Sequence, residues 1–337
     1  MRGRSILSLE DLATDEIEAL LDLTAHFADA GIEPNLAGRF VCGLFFNPSL
    51  RTRTAIQVAT ESLGAHCVIH DVGGGVWKLE TEAGVVMDGD KAEHIRDAIG
   101  KFLSGVVDCI GVRAFPDLSN PYEENRQDRV LHAVVEAATV PIVNLESALF
   151  HPMQALADLF VLRNHLKGGQ RADHTIALTW AYHPKALPMS VPNSALLAFC
   201  RAGYRVKLAH PEGFDLDAEI MTRARELAGD RLTVHHDLDE GVTGARVIYA
   251  KSWGARWEYA AAPDVLAQRS ARGDWREWII DGRRQALADP GAFMHCLPVR
   301  RNVVVTDEVI DGPHSWVAEQ ARSRVLTQAA VLHEIVA

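Results

Sequence analysis

The chain reads as an α/β protein built from two doubly wound parallel-sheet domains, and three observations lead there. Short apolar runs alternate with segments of helical spacing, as strands and crossover helices do. The alternation restarts near residue 175, after a first complete series. The length, 337 residues, exceeds one ordinary core and suits two.

The elements follow in order. Residues 14–31 form an amphipathic helix with Ile17, Leu20, Leu21, Phe27 and Ala28 on one face, ended by Gly31. Residues 39–46 are an apolar run broken by Asn47-Pro48, hence a buried strand and a tight turn. Ser49-Leu50-Arg51-Thr52-Arg53-Thr54 then opens a helix with Ile56, Ala59 and Leu63 at helical spacing and Gly64 as its stop. Residues 65–72 make the next strand, so this is a strand–helix–strand unit. A helix over 93–103, strands over 106–112 and 140–145, and a helix over 152–165 complete the first series. The second series has strands over 175–180, 204–209, 232–235 and 245–250, with helices over 193–202 and 217–227. There is no solenoid-period repeat and no low-complexity segment.

Composition narrows the function. The chain is 48% hydrophobic and 23% charged, ordinary for a globular enzyme. Its net charge of −11, without a basic block, argues against nucleic acid or an anionic membrane surface as partner. An anionic substrate must be drawn by a local cluster of Arg and Lys. Five cysteines are scattered without a C-x-x-C pair, which favours reduced thiols over a disulfide framework or a zinc site. No signal-peptide core and no 18-residue apolar run appear, so cytoplasm is the expected compartment.

Nearly every unusual polar cluster falls directly after a predicted strand, where open α/β sheets place their ligands. The 49–54 turn loads a helix N-terminus with hydroxyls and two guanidinium groups. Unpaired N–H groups and the partial positive charge there suit a phosphate, and arginine adds a planar fork of donors. The competing reading is a polar cap with a solvated Arg pair, but so many donors in six residues favour an anion site. Arg113 ends another strand; alone it reads as an exposed surface arginine. His151 before the helix-opening Pro152 can donate to a carbonyl or phosphate oxygen, or simply cap the helix. In His295-Cys296-Leu297-Pro298, cysteine beside histidine suggests a nucleophilic thiol, a buried structural Cys, or one that only shapes a pocket.

Together S-x-R-T-R-T at 49–54, H-P-x-Q-x-L-A-D at 151–158 and H-C-L-P at 295–298 resemble the aspartate/ornithine carbamoyltransferase superfamily. The likeness runs from about residue 5 to the C-terminus. It implies a carbamoyl phosphate-binding domain over 1–150, completed by a C-terminal helix at about 318–337, and an acceptor-binding domain over 151–317. It implies a homotrimer and no cofactor or metal. Carbamoyl phosphate would be held by Ser49, Leu50, Arg51, Thr52 and Arg113 at the phosphate. His151, Pro152, Met153, Gln154, Cys296, Leu297 and Arg324 would hold its carbamoyl end. Arg51, His151 and Cys296 are the implied catalytic set, with the Cys296 backbone as positioning group. Trp77, after Gly73-Gly74-Gly75, resembles the residue that reaches a neighbouring subunit's site; without the resemblance a core Trp reads as well.

The acceptor side resembles the N-acylornithine branch. Ornithine-using members carry an aspartate and a Ser-Met-Gly turn where this chain has Lys251-Ser252-Trp253-Gly254. A cation there fits a nitrogen that is acylated, neutral and flanked by carboxylates. Glu146, His183, Lys251, Leu297 and Arg300 are the implied acceptor contacts. Acetyl-using relatives have an acid where Ala92 stands, which favours N-succinylornithine over N-acetylornithine here. A carboxylate at ~4 Å would repel the succinyl tail by ~1 kcal/mol even in bulk-like dielectric. Two other classes stay open. One is a nicotinamide-dependent oxidoreductase, against which stands the missing G-x-G-x-x-G turn. The other is a catalytically silent paralogue, against which stand the intact phosphate-binding positions.

Overall fold

The computed structural model describes residues 1–260, 265–289 and 291–337. The chain divides into two compact units. Unit 1 comprises residues 1–116, 126–156 and 324–337; unit 2 comprises 117–125 and 157–323.

Unit 1 is built on a four-stranded parallel sheet of β1 (Phe40–Phe45), β2 (His66–Asp71), β5 (Cys109–Arg113) and β6 (Ile142–Glu146), in the order β2-β1-β5-β6. A small parallel pair, β3 (Leu79–Glu80) with β4 (Glu93–His94), lies outside it. Helices α1 (Thr14–Ala30), α2 (Leu50–Ser62) and α4 (Arg129–Ala137) belong to this unit, as does the end of α12 (Val317–Val336) from Arg324 onward. The expected strand–helix–strand unit is β1-α2-β2, with Phe40 opposite His66 through Phe45 opposite Asp71. β1 and β5 are buried along nearly their whole length, as parallel strands covered on both faces must be.

Unit 2 holds a five-stranded parallel sheet of β7 (Thr175–Trp180), β8 (Arg205–Ala209), β9 (Leu232–His235), β10 (Val247–Lys251) and β11 (Ala292–Met294), in the order β11-β10-β7-β8-β9. Its helices are α3 (Tyr122–Asn125), most of α5 (Pro152–His165), α6 (Ser190–Ala202), α7 (Ala218–Ala228), α8 (Leu238–Val242), α9 (Val265–Arg272), α10 (Gly282–Leu287), α11 (Asp307–Ile310) and the start of α12. Residues 152–162 of α5 are buried on all sides, so the helix shows no amphipathic stripe. None of the described helices is long and apolar enough to cross a membrane.

Two expected elements differ. The helix foreseen over 93–103 starts as β4, because Glu93 and His94 pair with Leu79 and Glu80. It continues as a π-helical segment, Arg96–Phe102. A Cβ on Gly100 would stand 2.9 Å from the Ala137 carbonyl oxygen, so this segment approaches the end of α4 backbone to backbone. The strand foreseen from 106 begins at Cys109, since the Val106 and Val107 N–H groups both turn back to the Leu103 carbonyl at 3.0 Å.

In each sheet the chain order reverses beside a central strand. β1 lies between β2 and β5, and β7 lies between β8 and β10. Such switch points leave a crevice at the carboxyl ends of the strands. Ser49 and Arg113 stand at one of them, His183 and Lys251 at the other.

Candidate active site

Site residues of unit 1 gather where β1, β5 and β6 end. Ser49 is the N-cap of α2, and its hydroxyl accepts the Thr52 N–H at 3.2 Å. Leu50 begins the helix with its side chain 77% exposed, so the sequence spends no hydrophobic burial there. Thr52 is buried, and its Oγ1 accepts from Arg113 at 3.2 Å and from Arg324 at 2.8 Å. Arg113 lies over the Phe115 ring at 4.1 Å and pairs with the Glu146 carboxylate. A register shift between Val112 and Arg113 sets Arg113 opposite Glu146 at the strand ends. His151 Nε2 stands 3.5 Å from Glu146 Oε2 and 3.5 Å from Arg324 Nη2.

Thr52, Arg113, Glu146, His151, Gln154 and Arg324 are all at least nine-tenths buried. Buried guanidinium groups require partner charges or hydrogen bonds, and Arg113 and Arg324 converge on the Thr52 hydroxyl with Glu146 and His151 beside them. Pro152 suits the first position of α5, where no N–H is needed, and Met153 and Gln154 are buried in that first turn. The Gln154 N–H turns back to the His151 carbonyl at 3.1 Å. Arg51 is half-buried on α2. Its neighbour Arg53, counted above among the anion donors, pairs instead with Asp71 and lies 5.3 Å from the Phe45 ring centre. Asp128 braces the loop before His151, accepting from the Ser147 hydroxyl and the Ala148 N–H, each at 2.6 Å.

In unit 2 the acceptor candidates sit after β7, β10 and β11. Arg300 Nε donates to His183 Nε2 at 2.9 Å, so that nitrogen carries the lone pair. The other ring nitrogen then holds the proton and donates to the Lys185 carbonyl at 2.8 Å. Lys251 ends β10, and its carbonyl accepts the Ala181 N–H at 3.2 Å, joining the two loops. Cys296 is buried and Leu297 has φ +53°, a left-handed backbone held by the Leu297 N–H bond to His295 Nδ1 at 2.9 Å. Arg301 pairs with Asp307 and Asp311, leaving Arg300 as the arginine at His183. Val304 is 2% exposed in the core.

Trp77 and Ala92 lie on the excursion that β3 and β4 clip. Trp77 is 68% exposed, which removes the core-Trp alternative. It follows a turn in which the Gly74 and Gly75 N–H groups both reach the Asp71 carbonyl. Ala92 is exposed, and the nearby cations are occupied: Lys78 by Asp90 at 2.7 Å, Lys91 by Glu80 at 3.0 Å.

The sequence reading missed two buried polar sets. Arg269 pairs with Glu258 and also donates to the His183 carbonyl, while Glu258 Oε2 accepts the Ala255 N–H at 2.8 Å. Gln320 links Asp158 to the His295 backbone. Neither carries a local motif beyond the Asp that closes H-P-x-Q-x-L-A-D. Among the described residues no group of three or more His, Cys, Asp or Glu is placed to hold a metal ion.

His183 gives a pH signature. Burial, then the Arg300, Lys251 and Arg269 charges, hold its imidazole down to about 4 from the ordinary 6.5. The unfolded chain therefore takes up a proton first as pH falls, and the stability present above 6.5 is lost on the way down to about 4. The Tm of wild type should drop over that window, and His183→Gln should drop less; equal slopes in thermal scans would contradict it.

Comparison with known proteins agrees with this geometry. The sequence pattern of "Aspartate/ornithine carbamoyltransferase, carbamoyl-P binding domain" matches residues 4–164, and that of the Asp/Orn binding domain matches 188–335. An N-acetylornithine carbamoyltransferase of Xanthomonas campestris is 37% identical, covering 100% of this chain and 98% of its own. An N-succinylornithine carbamoyltransferase of Bacteroides fragilis is also 37% identical, over 87% of this chain and 86% of its own. A solved acetylornithine transcarbamylase complexed with acetylcitrulline superposes with a TM-score of 0.93 at 36% identity, covering 99% of each chain. So does a glutamate-to-alanine variant of N-acetyl-L-ornithine transcarbamylase, complexed with carbamyl phosphate and N-succinyl-L-norvaline, at TM-score 0.92 and 37% identity, covering 99% of this chain and 100% of that one. With both halves matched and relatives similar end to end, this chain belongs to the aspartate/ornithine carbamoyltransferase family, in its N-acylornithine branch.

Proposed function

We propose that the chain transfers the carbamoyl group of carbamoyl phosphate to the δ-amine of N2-succinyl-L-ornithine, giving N2-succinyl-L-citrulline and phosphate, in arginine biosynthesis. The observation that carries the first half is the Thr52 hydroxyl shared by the buried Arg113 and Arg324, with His151 beside them. In a protein of net charge −11, such a cluster is a local device for an anion. Ser49, Leu50, Arg51, Thr52 and Arg113 take the phosphate. Gln154, Arg324 and the Cys296–Leu297 backbone read the carbamoyl end.

The δ-amine attacks the carbonyl carbon, a tetrahedral oxyanion forms, and phosphate departs with the proton that the nitrogen loses. A free alkylamine has a pKa near 10.4, so about one in a thousand is neutral near pH 7.4, a deficit of roughly 4 kcal/mol. Desolvation and the field of the surrounding arginine and lysine charges lower that pKa. Arg51 and His151 stabilise the oxyanion, an effect that ordinarily dominates such barriers. Cys296 acts through its backbone; a thioester trapped on it during turnover would overturn that assignment. Trp77, exposed on its turn, serves a neighbouring site in a homotrimer.

Ala92 carries the choice of acyl group, with N2-acetyl-L-ornithine as the alternative. Its methyl leaves room and charge neutrality for a second carboxylate. The relative in which one glutamate is alanine, complexed with N-succinyl-L-norvaline, supports the same reading. A colorimetric ureido assay with succinyl-, acetyl- and free ornithine tests it. Wild type should prefer the succinyl acceptor, and Ala92→Glu should lower its kcat/KM by about tenfold while sparing the acetyl acceptor. An unchanged acyl preference in that variant would remove the acceptor assignment.

A further inference from the structure

The H-C-L-P turn has to hold backbone groups still in a particular direction, yet it follows a strand of only three residues, β11. Its support comes from two side chains far away in sequence. The His295 N–H donates to Gln320 Oε1 at 2.9 Å, and Gln320 Nε2 donates to Asp158 Oδ1 at 2.6 Å. Asp158 and Gln320 are wholly buried and His295 is 2% exposed. Behind them Tyr249 is also wholly buried, and burial followed by the Asp158 charge and the Cys296 thiol raise its phenol well above its usual range.

The chemistry of this chain of bonds is directional. An amide side chain can present either its oxygen or its NH2 to a neighbour, and the two ends differ little in size. The His295 backbone N–H can only donate, so it takes the Gln320 oxygen, and this turns the Gln320 NH2 toward Asp158, which accepts it. His295 in turn accepts the Leu297 N–H on Nδ1, which holds Leu297 in its left-handed conformation. These bonds anchor the turn at the His295 backbone, and the His295 ring anchors it again at the Leu297 N–H, so that Cys296 lies between two held positions.

We propose that Asp158 and Gln320 are positioning residues that orient the Cys296–Leu297 backbone for the carbamoyl group. This rests on the function proposed above and goes beyond it, because neither residue touches a substrate in that reading. It also gives the terminal Asp of H-P-x-Q-x-L-A-D a role in the second motif, H-C-L-P.

The test separates the two ends of carbamoyl phosphate. Its carbamoyl end is read by the turn, whereas inorganic phosphate needs only the α2 N-terminus and Arg113. Gln320→Leu should raise KM for carbamoyl phosphate about tenfold or more, as a small misplacement does. The inhibition constant for inorganic phosphate should stay unchanged. Asp158→Asn should shift KM the same way but less, since an amide there can still accept. Gln320→Glu keeps the acceptor for His295 N–H and loses the donor to Asp158. Its KM should fall toward the wild-type value as pH is lowered, because protonating the introduced carboxyl restores a donor. Variants with lowered Tm but wild-type KM overturn the proposal, as does a phosphate inhibition constant that rises in step with KM. A wild type that carbamoylates none of the three ornithine acceptors removes the proposed function instead, and this inference with it.

Discussion

Arg113→Met is expected to lower kcat/KM for carbamoyl phosphate about a thousandfold. The loss corresponds to roughly 4 kcal/mol, the scale on which truncating one partner of a buried hydrogen-bonded charge pair is felt. Two separate terms contribute. The substrate loses a guanidinium donor, and Glu146, 8% exposed, loses the cation it pairs with most closely among those described. The second term is a stability term, and a second substitution isolates it. Glu146→Gln in the Arg113→Met background should recover part of the lost stability in urea unfolding, because a buried charge that has lost one of its cationic partners is removed. Activity should stay low. Inorganic phosphate should protect wild type against urea and fail to protect either variant. Phosphate protection that survives Arg113→Met would place the anion elsewhere.

Lys251→Met should lower kcat/KM for the N-acylornithine acceptor by about 10- to 100-fold, the range expected for losing a hydrogen bond to a charged group. KM for carbamoyl phosphate should hold, since the residues assigned to its phosphate lie on other elements. Lys251 ends β10, and its backbone is tied to Ala181 and its neighbour Ser252 to Tyr182, so removing the ammonium leaves the loop connections in place. Steady-state kinetics with each substrate varied in turn checks this. A rise in KM for carbamoyl phosphate equal to the loss on the acceptor would mean that Lys251 does not discriminate between them.

Much of the local structure around Ser49 was legible in the sequence. Helix caps and Gly-Pro punctuation are local, so Ser49, Leu50, Arg51 and Thr52 could be placed on a helix N-terminus after a strand from a few residues of context. Arg53 shows where local reading stops. It has the same chemistry as Arg51 and lies two residues away, yet Asp71 at the end of β2 pairs with it. Only strand register brings Asp71 there, because Phe45 and Asp71 are opposite one another in the sheet. The helix foreseen at 93–103 is realised only from Arg96, for a related reason. Glu93–His94 pair with Leu79–Glu80, and the remainder winds as a π-helix where Gly100 closely approaches the end of α4.

By itself the sequence determined the fold class, the two series of strands, the cap at Ser49 and the three motifs that mark the family. Periodicity, capping and turn chemistry act over a few residues and so survive in a string of letters. Tertiary structure alone decided which groups meet. Thr52 and Arg324 lie 272 positions apart and share one hydroxyl; Asp158 and Gln320 lie 162 apart and share one proton-donating amide. Their contacts depend on how each unit brings distant segments of the chain together, which leaves no local trace. The same is true of His183, whose lowered pKa follows from burial and three cations brought in by a loop, a strand end and a helix.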